Sequence, residues 1–165
     1  MTSSLFSHAP EPEEPAASAV DVPPVCLERQ VPRDLHEAFN GFTEYVHLWW
    51  PESFSQTGEG MFPEFEAGEL VETSPSGERI LWATVHRREQ DRSLELQWVL
   101  GHNPRIPSTV EVRFEQVPET DEETTRVTLV HAGWSSQQDP AETRERFNQS
   151  WTEVMDRYAR FMGAR

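Results

Sequence analysis

The sequence predicts an α+β domain in which an antiparallel sheet of about seven strands is covered on one face by a long C-terminal helix. Three observations carry this reading. Short segments of alternating apolar and polar residues follow one another between Val25 and Gly133, the links between them are rich in turn residues, and the last segment repeats apolar residues at helical spacing.

VCLERQV, residues 25–31, reads as the first strand. Pro32 and Asp34 then open a short helix through RDLHEAF, with Asn40-Gly41 as its stop. A second short helix, TEYVHLWW, begins near Thr43 and ends at Pro51, because a proline drives the residue before it out of helical geometry. The strands MFPEFE, GELVETS, RILWATVHR, SLELQWVL, TVEVRFEQV and TRVTLVHAG follow, separated by turn signals such as Ala67-Gly68, Ser74-Pro75-Ser76-Gly77, Asn103-Pro104 and Glu119-Thr120-Asp121. Links this short join antiparallel neighbours. Leu94, Leu96, Trp98 and Leu100 share one face, as do Val110, Val112 and Phe114, and as do Val127 and Leu129. RILWATVHR is apolar on both faces near its start, so the pattern leaves its inward side open.

The apolar side of such a sheet needs a cover. Asp139-Pro140-Ala141-Glu142 starts a helix, with Asp139 as cap, Pro140 in the first helical position and Glu142 three residues past the cap. Phe147, Trp151, Val154, Met155, Tyr158, Phe161 and Met162 form its apolar stripe, and Gly163 ends it.

A chain of 165 residues is the size of one domain. Residues 1–24, rich in Pro, Ala, Ser and Glu, bury too little apolar surface to offset their ordering entropy and read as a disordered acidic tail, leaving residues 25–165 as a single domain. The net charge of -15 repels phosphate backbones and anionic membranes, which argues against nucleic acid or a membrane as partner. Every basic residue is Arg, so Schiff-base and phosphate-loop lysine chemistry is excluded. One cysteine, Cys26, no secretory signal and no long apolar run make the cytoplasm the expected location.

Candidate site residues come from the inner faces. Trp49 and Trp50, in "HLWWPESF", leave a helix about 100° apart, so one is expected to plug the core and the other to line or lid a cavity mouth. His47 lies within a turn of them. His131 shares a strand face with Val127 and Leu129 and so points inward, as a polar anchor for a ligand or as a core histidine satisfied by a neighbour. The histidines lack close pairing, no Gly-x-Ser-x-Gly occurs, and neither a metal nor another cofactor is expected.

"LWWP", "FEAGELVE", "LELQW", "TVEVRFEQV" with "TRVTLVHAGW", and "SWTEVMDRYARFM", taken in this order, resemble the SRPBCC (START-like) superfamily, and within it the activator of heat-shock-protein-90 ATPase homologues. The resemblance covers nearly everything from Val25 to Met162. It implies a helix-grip fold, a curved antiparallel sheet wrapped around the C-terminal helix with two short helices after the first strand and an apolar cavity between sheet and helix. Ala67-Gly68 stands where the family often has Gly-Gly, and the tail is too short to replace the N-terminal docking domain of the eukaryotic co-chaperones. The expected function is a non-catalytic binding protein that holds a hydrophobic or aromatic small molecule, its lining drawn from Leu96, Trp98, Val112, Phe114, Leu129, Trp151, Met155 and Tyr158 with His131 inside and His47, Trp49 and Trp50 at the mouth. Two further readings follow from the resemblance: an interaction protein that binds a heat-shock-protein-90 homologue, and an enzyme like the polyketide cyclases, using His131 with Tyr158 or a Glu. A monomer or a homodimer fits either edge of the sheet.

Overall fold

A computed structural model describes residues 21–118 and 123–165. Most of the expected tail, residues 1–20, and the expected turn at 119–121 lie outside the described residues. Strand β1 (Val25–Val31) leads into α1 (Leu35–Thr43), α2 (Val46–Trp49) and a 3₁₀ turn, Glu52–Phe54. Then come β2 (Phe62–Glu66), β3 (Glu69–Thr73), β4 (Arg79–Glu89), β5 (Ser93–Trp98), β6 (Ser108–Gln116) and β7 (Thr125–Ala132), a 3₁₀ turn at Trp134–Ser136, and α3 (Pro140–Phe161). The sheet order is β1-β7-β6-β5-β4-β3-β2, with every neighbouring pair antiparallel. The two short helices thus carry the chain from one edge of the sheet to the other, and the meander returns to set β7 beside β1. This is the helix-grip arrangement.

Alternation decides which side is buried. Leu94, Leu96 and Trp98 on β5, Val110, Val112 and Phe114 on β6, and Val127, Leu129 and His131 on β7 are all buried. The register sets Leu94 opposite Val112 and Val112 opposite Leu129, so the apolar stripe runs unbroken across three strands. Helix α3 closes over it with Phe147, Trp151, Val154, Met155 and Tyr158. Each such side chain contributes about 1.5–3 kcal/mol through burial. Phe161, expected in the stripe, is 40% exposed, and the last turn is packed by Met162 instead.

Strand β4 leaves simple alternation. Its register slips against β3 between Leu70 and Val71 and against β5 between Val85 and Arg87. Such bulges re-aim side chains. Consecutive Trp82 and Ala83 are both fully buried, Leu81 is partly exposed, and His86 lies outside, 3.9 Å from Glu95. The inward side of this strand, open in the sequence, is that of Ala83 and Val85, which the register sets opposite the buried Trp98 and Leu96, and the bulge brings Trp82 in beside them.

The helix ends differ from expectation in three places, the simplest being that α2 begins at Val46 rather than near Thr43, which belongs to α1. Helix α1 is capped by Asp34, whose Oδ1 accepts from the Glu37 N–H at 2.7 Å, but it runs through Asn40 and Gly41 to Thr43. Gly41 serves close packing rather than termination, since a Cβ there would collide with Met162 Sδ. At the start of α3, Pro140 is in its expected place, yet Asp139 is left-handed (φ 47, ψ 63) and its side chain caps nothing. Thr143 Oγ1 donates to the Gln138 carbonyl at 2.8 Å instead. The far end follows expectation: left-handed Gly163 donates to Arg160 O and Ala164 to Ala159 O, the paired bonds of a Schellman ending. Beyond β1, Val22 packs on the core, and Arg144 holds the Pro23 and Pro24 carbonyls at 3.2 Å, so contact with the domain begins ahead of the first strand. No described helix is long and apolar enough to cross a membrane.

Asp34→Ala should cost about 1 kcal/mol in chemical denaturation, the usual worth of a helix N-cap. Asp139→Gly should cost nothing or stabilise by a few tenths, because it removes a left-handed Cβ and no hydrogen bond.

Candidate functional site

Between the sheet and α3 the space is occupied by aromatic rings. Trp98 and Trp151 lie 5.0 Å apart centre to centre, Trp50 and Trp82 5.3 Å, Phe54 and Trp151 5.2 Å, and Phe42 and Tyr158 5.2 Å. Of the residues the sequence singles out, Trp49, Trp50, Leu96, Trp98, Val112, Phe114, Leu129, His131, Trp151, Met155 and Tyr158 are all buried here. His47 is not among them. It stacks on Phe62 at 4.7 Å, on the outer flank where α2 meets β2.

The two adjacent tryptophans do face different neighbours. Trp49 packs on Phe42 and Tyr158, and its indole donates to Gly41 O at 2.9 Å. Trp50 packs on Trp82 and Phe54. Both are buried, at 4% and 5% exposure, and Phe54 rather than either tryptophan reaches the opening described below.

His131 has both ring nitrogens engaged. The Trp151 indole donates to Nδ1 at 2.8 Å, and Nε2 lies 2.7 Å from Ser108 Oγ. Because Nδ1 accepts, the ring's proton sits on Nε2 and is donated to Ser108, which fixes a neutral tautomer with no lone pair to spare. Burial, with His102 nearby, holds its pKa down to about 2. Tyr158 donates to Ala38 O at 2.7 Å, and burial pushes its phenol up. Both groups tie elements together: His131 joins β7 to α3, and Tyr158 joins α3 to α1.

Several residues that pattern reading missed complete the site. Glu72, on β3, is fully buried and accepts hydrogen bonds from Ser55 Oγ, the Gln56 and Thr57 N–H groups, Thr57 Oγ1 and the Trp82 indole. Burial alone would raise its pKa, but these donors outweigh it and hold the carboxyl below its usual range. No periodicity announces such a residue, since its partners lie in a loop some fifteen residues earlier. Glu64, Glu66 and Glu69 belong instead to the edge hairpin of β2 and β3, where Glu66 pairs with Arg79 at 2.7 Å.

The grip opens at one end. A cleft of about 530 Å³ is bounded by Gly101 to Asn103, Ile106, the Ser136–Asp139 loop and the first turns of α3 through Arg146. A second, of about 330 Å³, shares Gly101 and Arg146 with it and lies over Phe54 and Phe147. Around this end three buried ring nitrogens have no hydrogen-bond partner among the described residues: Trp50 Nε1, Trp134 Nε1 and His102 Nε2. Burial, aided by the charge of Arg146, lowers the pKa of His102 against a backbone hydrogen bond at Gly101. Buried polar atoms are nearly always paired in folded proteins, so three orphans at one end are unusual. Among the described residues, no group of three His, Cys, Asp or Glu converges as metal ligands.

Residues 33–163 match the family model described as Activator of Hsp90 ATPase homolog 1-like protein. No curated protein matches the chain. Among solved structures it is similar to protein MLL2253 from Mesorhizobium loti, at 16% identity and a TM-score of 0.59, covering 84% of this chain and 96% of that one. It is also similar to CalC from Micromonospora echinospora, described as a self-sacrificing resistance protein, at 20% identity and a TM-score of 0.58 over 85% and 94% of the two chains. The anthrahydroquino-gama-pyrone synthase Txn09 is similar at 22% identity and a TM-score of 0.52, over 85% and 97%. At these identities the likeness is one of fold.

The His131 geometry sets a pH dependence. A ring kept neutral in the fold but free to protonate from pH 6.5 in the unfolded chain contributes stability that is complete above pH 6.5 and lost as pH falls, by about 1.4 kcal/mol per pH unit. Urea denaturation between about pH 6 and about pH 4 should show this slope, and His131→Gln should flatten it while lowering stability at neutral pH.

Proposed function

Because the chain belongs to the Activator of Hsp90 ATPase homolog 1-like protein family, an SRPBCC helix-grip group, we propose that it is a non-catalytic protein that holds a hydrophobic or aromatic small molecule between the sheet and α3. The observation that carries this reading is the set of partnerless ring nitrogens at the open end. Trp50 packs on Phe54, which lines the smaller cleft; His102 lines the larger; and Trp134 packs on His102 at 6.1 Å. Aromatic walls with a few unspent polar groups are the usual make-up of a small-molecule site. The acid–base reading has less support, because His131 and Tyr158 spend their polar atoms on Trp151, Ser108 and Ala38.

A chaperone-linked role is the second reading. It is favoured by the family's own description and by Leu48 and Phe62, 60% and 43% exposed at the α2 and β2 edge. Pull-down with the host's heat-shock-protein-90 homologue and an ATPase assay distinguishes it, since stimulation lost in Leu48→Glu would place the working surface there.

For the first reading, 8-anilinonaphthalene-1-sulfonate should bind saturably at one site, seen by its own emission and by native mass spectrometry. Ser150→Trp, which fills the smaller cleft from an α3 position, should weaken that binding about tenfold or more with the melting temperature little changed. Unchanged binding would remove the site from this end of the grip.

A further inference from the structure

We propose that Phe54 is a built-in occupant of the ligand site, and that the molecule which displaces it is a planar aromatic carboxylate whose anion pairs with Arg146. This rests on the small-molecule reading above and names the ligand class and the gate.

The Phe54 ring sits inside a box of other rings. Trp151 is 5.2 Å away, Trp50 5.4 Å, Trp98 6.0 Å, Trp82 6.2 Å and Phe147 6.5 Å. Four indole walls around one phenyl ring make a socket for a flat aromatic group, because edge and face contacts are available on every side. The occupant comes from a weakly held part of the chain. Between Glu52 and Gly60 only Phe54 is buried, and Gly58 and Gly60 are both left-handed. Just past Phe54 the strap is moored by the Glu72 carboxylate, through Ser55, Gln56 and Thr57. On its other side the strap is held to α3 by the exposed Ser53 hydroxyl, which donates to Glu153 at 2.8 Å, and a segment with one buried side chain belongs to the part of a fold that opens most readily. Phe54 can swing outward while the strap stays tied to Glu72.

Chemistry at the socket and at its mouth specifies the guest. Inside, the Trp50 indole N–H is buried, with the residue 5% exposed, and has no acceptor among the described residues. Phenylalanine cannot satisfy it; a ring bearing an oxygen can. Over Phe54, the smaller cleft is lined by Ser53, Gln56, Leu100, Phe147 and Ser150, with Arg146 as its sole charged residue. A guanidinium at the rim of an aromatic slot in a chain of net charge -15 is a local attractor for a carboxylate that the rest of the surface repels.

Isothermal titration with 2-naphthoate and with its neutral analogue 2-naphthalenemethanol, on the full chain and three variants, tests this. Phe54→Ala should bind naphthoate at least about tenfold more tightly than the parent, because competition from the internal ring is gone. Arg146→Gln should lose the preference for naphthoate over the alcohol, and Trp50→Phe should weaken both. A fluorine label at the para position of Phe54 should move toward its solvent-exposed shift on adding naphthoate, a readout that stands if Phe54→Ala does not fold. Naphthoate binding that leaves this label unmoved, or a Phe54→Ala protein that binds no tighter, overturns the gate while the small-molecule reading survives. Equal binding of acid and alcohol overturns the carboxylate assignment. If neither naphthoate nor 8-anilinonaphthalene-1-sulfonate binds any of the proteins, both readings fall.

Discussion

A sheet with one apolar face must be covered, and here the cover is anchored by a polar contact inside an oily space: the Trp151 indole donating to His131 Nδ1. Burial of rings supplies most of the stabilisation but is indifferent to small slides of α3 along the sheet. The hydrogen bond is not. Its directionality, with Ser108 on the other side of the ring, sets the height of α3 on β7, and Tyr158 to Ala38 sets it against α1. Everything at the open end inherits that placement, because Phe147 lies one helical turn before Trp151 on the same stripe.

The polar accounting of the core is uneven, and the unevenness has a direction. At the closed end Trp49 donates to Gly41 O, and around β3 to β5 Trp82 donates to Glu72 and Trp98 to Leu100 O. Toward the clefts Trp50 Nε1, Trp134 Nε1 and His102 Nε2 have no partner among the described residues. An orphaned buried donor costs about 1–3 kcal/mol. A fold that carries such groups in one region and satisfies them elsewhere has its weakest internal cohesion at that region, here the end the clefts occupy.

Most of the scaffold is legible in the sequence because two periods, alternation in β5 to β7 and the helical stripe of α3, are long enough to speak for themselves. What is lost is lost for local reasons. Asn40-Gly41 carries the usual stop signal, but Met162 needs the room a missing Cβ leaves, and the helix continues. Asp139 has the right neighbours for a cap and the wrong backbone angles. A bulge in β4 brings Trp82 inside where simple alternation with Ala83 and Val85 would have turned it out, and Glu72 depends on loop donors that no spacing rule connects to it. The inner lining is readable as a set of faces; which ring fills which space, and that Phe54 reaches the centre from a loop, depends on packing between distant segments.

The crowding of indoles has an optical consequence. Trp50, Trp82, Trp98 and Trp151 stand in a chain of ring contacts 5.0 to 6.4 Å apart. Chromophores this near share their excited states, so light absorbed by any of them migrates among all before it is emitted. With Trp49 5.4 Å from Trp50 the same coupling extends to a fifth indole, so the ultraviolet glow of this group is shared and a quencher touching one member dims its neighbours.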